Sequence, residues 1–192
     1  LEKRADAGPE GIARRAALGE ALRLKNYEFN AQGVELNQRC VSAAVLADAD
    51  STDEVWKRDP QLYVQPTTRP GAKLPHAWLV GANGRRVSTL DLVGKGRFSL
   101  VTGIAGQAWI DAAKAMDLPF LRTVVIGSPS AQDLYATWQG LREVEEAGAL
   151  LVRPDGVVAW RQHHGAAEAA DAQRTLEHAL AAVLDRRVAE MV

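Results

Sequence analysis

Phe98-Ser-Leu-Val-Thr-Gly-Ile-Ala-Gly-Gln-Ala-Trp109 opens as a short β-rich run, turns at a pair of glycines and passes into helical spacing. Trp109, Ala112, Ala113 and Met116 continue that spacing and predict a helix over about 106–117. Leu121-Arg-Thr-Val-Val-Ile126, bounded by Pro119 and Gly127, reads as the next strand. A second helical stretch is expected around 131–139, with Leu134 and Trp138 one turn apart. Ala149–Val152 and Val157–Trp160 are two short strands joined by Arg153-Pro-Asp-Gly156, where proline at the second position and glycine at the fourth suit a type I turn. A long helix over about 166–187 closes the chain, with Ala169, Ala172, Leu176, Leu180 and Val183 inward. From Phe98 the order is therefore β-α-β-α-β-β-α. Strands separated by a helix return parallel, and the final hairpin is antiparallel. That is an α/β fold with the order of a thioredoxin-like domain.

Upstream the pattern loosens. Arg69-Pro-Gly-Ala-Lys-Leu-Pro-His-Ala-Trp-Leu79 carries two prolines, which forbid a regular helix and favour extended chain. It leads through Gly84-Arg-Arg-Val-Ser-Thr-Leu-Asp-Leu-Val-Gly94 as a loop and a short strand into the core strand at Phe98. Gly8-Pro9-Glu10 supplies a helix start, and Ile12, Ala16, Leu18 and Leu22 place apolar groups near one face of a helix over about 9–25. Between about 26 and 68 lies an irregular arm. Its second part, with Asp48, Asp50, Ser51, Asp53, Asp59, Pro60 and Pro66, cannot build a core alone and must lie along something else. The expected division is a helix and arm over 1–68 and a thioredoxin-like domain over 69–192.

Composition narrows the function. Lys and Arg number 23 against 24 acids, and a net charge of -1 gives no electrostatic reason to expect nucleic acid or an anionic membrane as partner. No apolar run approaches a membrane span, and the first residues have no signal-like apolar core, so the cytoplasm is the expected compartment. The single cysteine, Cys40, excludes an intramolecular disulfide and a CxxC motif. A working thioredoxin needs a low-pKa thiol at the N-terminus of the helix after its first core strand. Thr102-Gly-Ile-Ala-Gly-Gln-Ala-Trp109 has none there, and the proline expected before the third core strand, near Ala147-Gly148, is absent. No catalytic residue and no cofactor-binding residue is assigned within the chain.

The remaining candidates have plain readings. His163 and His164 adjoin a strand and point to opposite faces, poor geometry for one metal. His76 reads as a hydrogen-bonded loop residue. Gly103-Ile-Ala-Gly106 could aim backbone amides at an anion, but it has no GxGxxG spacing, and tight turning explains its glycines better. The five tryptophans are spread along the chain as core and interface anchors rather than as a stacking platform.

Taken together, Glu28-Phe-Asn-Ala-Gln-Gly-Val-Glu-Leu-Asn-Gln-Arg39, Arg69-Pro-Gly-Ala-Lys-Leu-Pro-His-Ala-Trp-Leu79, Ser88-Thr-Leu-Asp-Leu-Val-Gly94 and Leu151-Val-Arg-Pro-Asp-Gly-Val-Val-Ala-Trp-Arg161 resemble the C-terminal third of FAD-dependent aromatic hydroxylases, the 2,4-dichlorophenol 6-monooxygenase and polyketide hydroxylase group. The resemblance implies a parent polypeptide with FAD-binding and substrate domains upstream of a thioredoxin-like domain without redox cysteines. It also implies NADPH as reductant and a phenolic substrate. Cys40 departs from the family, whose members tend to have an aromatic residue there. The dinucleotide fingerprint and the Gly-Asp flavin motif do not occur here, so this chain alone is expected to bind neither FAD nor NADPH. Glu35, Asn37, Gln38 and Arg39, a polar run between apolar positions, are expected to contact the FAD and substrate domains of the same polypeptide. Two alternatives remain: a free-standing, non-catalytic thioredoxin-like binding module, and a thiol oxidoreductase acting through Cys40 alone. The oligomeric state is not fixed, and a homo-oligomer is among the partners allowed.

Overall fold

The computed structural model describes residues 5–48 and 53–186; Asp50 and Ser51 of the arm and Arg187 lie outside the described residues. The chain divides into two units, Leu1–Asn37 with Glu54–Gln65, and Gln38–Asp53 with Pro66–Val192.

In the first unit α1 spans Pro9–Phe29, entered through proline in its first turn and with Glu10 near its positive end. It runs one turn beyond the expected helix. The face that gathers its apolar groups is largely exposed: Gly11 alone in the helix is buried, while Ile12 and Leu22 are 56% and 59% exposed. A short helix α2, Gln32–Leu36, follows. The segment 53–65 is held to it by backbone and side-chain bonds, including Val34 N to Gln61 O at 3.3 Å.

The second unit is built on a four-stranded sheet. Its strands are β3 Phe98–Gly103, β4 Leu121–Ile126, β5 Ala149–Val152 and β6 Val158–Gln162, in the order β4-β3-β5-β6. β3 and β4 are parallel, as a helical crossover requires, while β5 is antiparallel to both β3 and β6. The expectation that strands separated by a helix return parallel is thus corrected for β5, which runs against β4 because the connection over 127–148 is mostly irregular chain rather than a helical crossover. The β5–β6 turn is closed by Gly156 N to Arg153 O at 2.9 Å. Every residue of β3 and of β5 is buried, because both sheet faces are covered. On one face Leu100 and Leu151 meet Trp109 and Ala112 of α4, Gln107–Met116, and Leu176 and Leu180 of α6, Ala169–Leu184. On the other, Val101, Leu150 and Val152 meet Leu79, Val93 and Trp138. The alternation along each strand assigns neighbours to opposite faces.

The second face is roofed by elements that the sequence reading resolved less fully. β1 Trp78–Val80 and β2 Arg86–Ser88 form an antiparallel hairpin, followed by α3, Thr89–Leu92. Ser88 and Asp91 form a capping box at α3, and His76 Nδ1 lies 2.7 Å from Ser88 Oγ. The helix expected over 131–139 is a correction: α5 covers only Thr137–Leu141. Ala136 has φ +54, which breaks any helix running in from Ala131, and Asp133 instead turns its carboxylate onto the amides of Thr137 and Gln139, each at 2.9 Å. Trp138 is therefore buried while Leu134 is exposed, and the two do not share a buried face.

Edge strand β6 is not bare. Gly71 N and Ala72 O bond to Val158, Leu74 N to Gly156 O, and Leu46 N to Ala159 O, all within 2.7–2.9 Å. Two irregular segments, 40–48 and 69–74, thus act as a strap along the edge. This is a common way to blunt a sheet edge against pairing with other chains.

Candidate functional site

The strand-to-helix junction where a redox thiol would sit is filled from within the chain. The Ile104 amide donates to Glu146 Oε1 at 2.9 Å, and Arg142 holds the other carboxylate oxygen. Thr102 Oγ1, buried, donates to Gly148 O at 2.7 Å. Close approach accounts for both glycines: a Cβ on Gly103 would lie 2.1 Å from Glu146 Oε1, and one on Gly106 would lie 1.9 Å from Thr102 Oγ1. A pyrophosphate does not fit here, because the amide that would greet it already serves a carboxylate that would repel it. The residues of this junction hold neither FAD nor NADPH.

Outside the C-terminal ends of the parallel strands β3 and β4 lies a half-open pocket of about 360 Å³. Open α/β sheets place ligands at this end. Ile126 and Trp138 contribute to its lining from buried positions and Ile104 and Leu134 from exposed ones, with Gln132 and Asp133 among the polar residues. Asp133 caps α5, and Glu146 is paired with Arg142.

A second polar cluster fastens the strap. Arg161 of β6 donates twice to Asp48 Oδ2, at 2.9 and 2.6 Å, and once to Glu143 Oε2 at 2.9 Å; Arg161 and Asp48 are each only 11% exposed. Glu143 Oε2 also accepts from Thr67 Oγ1 at 2.6 Å and from the Thr68 amide at 3.0 Å. Sequence spacing gave no sign of this network, whose members come from four distant segments.

Cys40 belongs to the strap. Its amide donates to Gly71 O at 2.8 Å, and its half-buried thiol lies 3.7 Å from an Arg153 nitrogen. Nothing in this geometry supplies a second thiol or a base. His163 Nδ1 lies 3.1 Å from Glu143 O, and His164 pairs with Glu145 at 2.9 Å, so the adjacent histidines serve different partners. Among the described residues no group of three or more His, Cys, Asp or Glu could hold a metal ion.

The four predicted contact residues stand as follows. In the first unit Glu35 is exposed, whereas Asn37 is buried with its carboxamide spent internally: it donates to Pro60 O and Tyr63 O and accepts from the Gln65 amide, all at 2.8 Å. In the second unit Gln38 is exposed and Arg39 half-buried. In the same first unit the Tyr27 hydroxyl donates to Asp59 at 2.6 Å; that bond raises the tyrosine pKa and lowers the carboxylate's.

The fold and junction thus define a thioredoxin-like domain whose redox position is closed by its own carboxylate. Residues 67–186 match the family model described as aromatic-ring hydroxylase, C-terminal, and the chain belongs to that family. It is 45% identical over 192 residues to a 2,4-dichlorophenol 6-monooxygenase of Cupriavidus pinatubonensis, covering 97% of this chain and 31% of that protein. Over 165 residues it is 47% identical to a phenol 2-monooxygenase of a Pseudomonas species, covering 84% of this chain and 27% of that one. Among solved structures it is similar to the flavin-dependent monooxygenase PieE in complex with FAD and substrate, with TM-score 0.79, 42% identity, and coverage of 97% of this chain and 32% of that one. The chain therefore spans less than a third of the length of these relatives. Among the described residues no helix is long and apolar enough to cross a membrane.

Proposed function

We propose that this chain is the C-terminal portion of an FAD-dependent, NAD(P)H-using monooxygenase that hydroxylates phenolic or polyketide aromatic rings in the cytoplasm. Within it, residues 1–68 form the tail of the FAD and substrate portion and residues 69–192 the supporting domain. The portion is structural and interfacial, and not catalytic by itself. One observation carries the reading: the chain matches flavoprotein hydroxylases along almost its whole length while covering only 31% or 32% of theirs.

The flavin supplies oxygen activation when bound to the parent, and this chain's share is to brace the domains that bind it. The exposed apolar residues of α1 support that role, since Leu24 and Phe29 are 66% and 76% exposed among the described residues. Glu35, Gln38 and Arg39 face the FAD and substrate domains, and Asn37 fixes the turn that presents them. The partners are those domains, a phenolic substrate of the parent, and further copies of the protein in a homo-oligomer. The test is to purify the full-length gene product and measure flavin absorbance and NADPH consumption with phenols. A colourless protein, or a yellow one that consumes no NADPH when phenols are added, would end this reading.

A further inference from the structure

At the end of the sheet opposite the pocket, where β3 and β4 begin, two arginines meet without an acid. Arg122 is paired in register with Ser99, so their side chains share one sheet face. The half-buried guanidinium is pinned there: Arg122 Nε donates to Ser99 Oγ at 2.9 Å, and Nη2 donates to Gly94 O at 3.3 Å. Arg97, exposed and two residues before Ser99, comes close enough for its charge to act on Arg122. The Arg122 guanidinium is accordingly held below the ordinary arginine value, by burial first and by Arg97 second. Among the described residues no carboxylate pairs with either arginine. The acids of the neighbouring segments are engaged elsewhere, Asp91 on the Ser88 amide and Asp155 on Arg153. The loop that delivers Arg97 is closely seated. Gly94, Lys95 and Gly96 have φ +71, +57 and +81, Arg97 N donates back to Gly94 O at 3.3 Å, and a Cβ on Gly94 would lie 3.0 Å from Pro154 O. Lys95, with its Nζ on Asp91 O at 2.8 Å, brings a third positive charge to the same loop.

Two like charges at close range cost free energy, and partial burial of one of them adds to the cost. An oxyanion between them offsets both costs, and the fork of a guanidinium matches its oxygens. The donors for it are present: Arg122 Nη1 has no protein partner among the described residues, and neither has any nitrogen of the Arg97 guanidinium. We propose that Arg97 and Arg122 form a binding site for a dianionic oxyanion of the phosphate class, carried by inorganic phosphate or by a phosphate monoester. Two guanidiniums match the two charges of that group, whereas a carboxylate neutralises one and leaves the other opposed to its neighbour. Arg122 is the fixed half of the site, oriented by Ser99 and Gly94, and Arg97 is the half that closes on the ligand from solvent. The site goes beyond the hydroxylase reading above and does not depend on it, since both arginines and the loop between α3 and β3 belong to the thioredoxin-like unit itself.

The test is isothermal titration of the full chain with sodium phosphate, glycerol phosphate and sodium acetate at one ionic strength held by chloride. Circular dichroism confirms the folding of each variant. The expected result is saturable phosphate binding at one site per chain, with the Arg122 Nε–H resonance moving in step by NMR. Affinity falls about tenfold or more in Arg122→Met and in Arg97→Gln, the loss expected when a charge-assisted hydrogen bond is removed. Arg122→Lys keeps the charge, loses the fork and binds more weakly than the unmutated chain. Arg85→Gln, at an exposed arginine on the β1–β2 hairpin, leaves binding unchanged. Should Arg122→Met fail to fold, Arg97→Gln at its exposed position decides. Glycerol phosphate bound as tightly as phosphate assigns the site to monoesters as well as the free ion, and its exclusion assigns the site to the free ion alone. A phosphate titration that does not saturate, an affinity indifferent to Arg97→Gln, or acetate bound as tightly as phosphate would each overturn the proposal.

Discussion

Arg161 shows how much hangs on single polar residues in this chain. Its guanidinium is nearly buried, and both of its acidic partners are contributed by irregular backbone, Asp48 from the strap and Glu143 at φ +53. Breaking a buried ion pair by removing one partner leaves an uncompensated charge and costs about 3–5 kcal/mol. Arg161→Ala is therefore expected to lower unfolding stability by about 3 kcal/mol, with Asp48→Asn milder because the amide still accepts a hydrogen bond. Urea denaturation checks this, and a loss below about 0.5 kcal/mol would mark the network as no more than an ordinary surface contact. Tyr27 and Asp59 give a pH dependence of known sign. The Asp59 carboxyl is held below its ordinary 3.8, so its contribution is present above that value and lost as pH falls through the lower folded value. The Tyr27 hydroxyl is held above its ordinary 10.0, so its contribution is present below that value and lost as pH rises through the higher folded one. In Tyr27→Phe, an NMR titration should find Asp59 moved upward, towards its ordinary pKa. No movement would show that this bond is not the cause. None of these pairings was legible in the sequence, because hydrogen-bonded partners 18, 32 or 113 residues apart leave no periodic trace.

At the scale of elements, regular periodicity was readable and irregular backbone was not. Trp109, Ala112 and Leu176 sit where their 3.6-residue spacing put them, and the order from Phe98 onward stands. The 131–139 stretch misled because Leu134 and Trp138 have helical spacing, while Asp133 offers its carboxylate as a cap and the chain turns left-handed at Ala136. The strap along β6 left no mark either, since its hydrogen bonds come from backbone, which any residue carries. Its one sequence clue is Gly71. With φ +92 and a prospective Cβ only 2.5 Å from Cys40 O, that position tolerates no side chain without moving the strap. Gly71→Ala is expected to release segment 69–74 from β6, speeding hydrogen exchange at the Leu74 and Val158 amides while the β3 amides stay protected. Uniform protection across β6 would show that the strap does not depend on this turn. The uncovered edge should also raise aggregation on heating, which light scattering measures.

At the scale of the whole molecule, α1 is a helix whose apolar residues are left largely uncovered by the other described residues of its own unit. α1 carries no strong apolar stripe, and Leu22, Leu24 and Phe29 are each more than half exposed, whereas the thioredoxin-like unit encloses Leu100, Leu151, Leu176 and Leu180 completely. The sequence made the helix visible but could not reveal this, because helical spacing reports which residues share a face and not whether anything covers it. Exposed positions change stability by no more than about 0.5 kcal/mol when substituted, and the one ring contact of Phe29, with Lys25 Nζ 5.4 Å from its centroid, is itself at the surface. Leu22→Ser and Phe29→Ser are thus expected to leave the thermal unfolding of this chain where it was. In the full-length parent the same substitutions would place hydroxyls in a covered contact, where truncating a buried leucine or phenylalanine costs about 2–5 kcal/mol. The parent variants should then melt earlier and retain less flavin per chain, as read from the ratio of flavin to protein absorbance. If instead the parent is as indifferent to both substitutions as this chain, α1 faces solvent there too, and the support this portion gives must come from the thioredoxin-like unit.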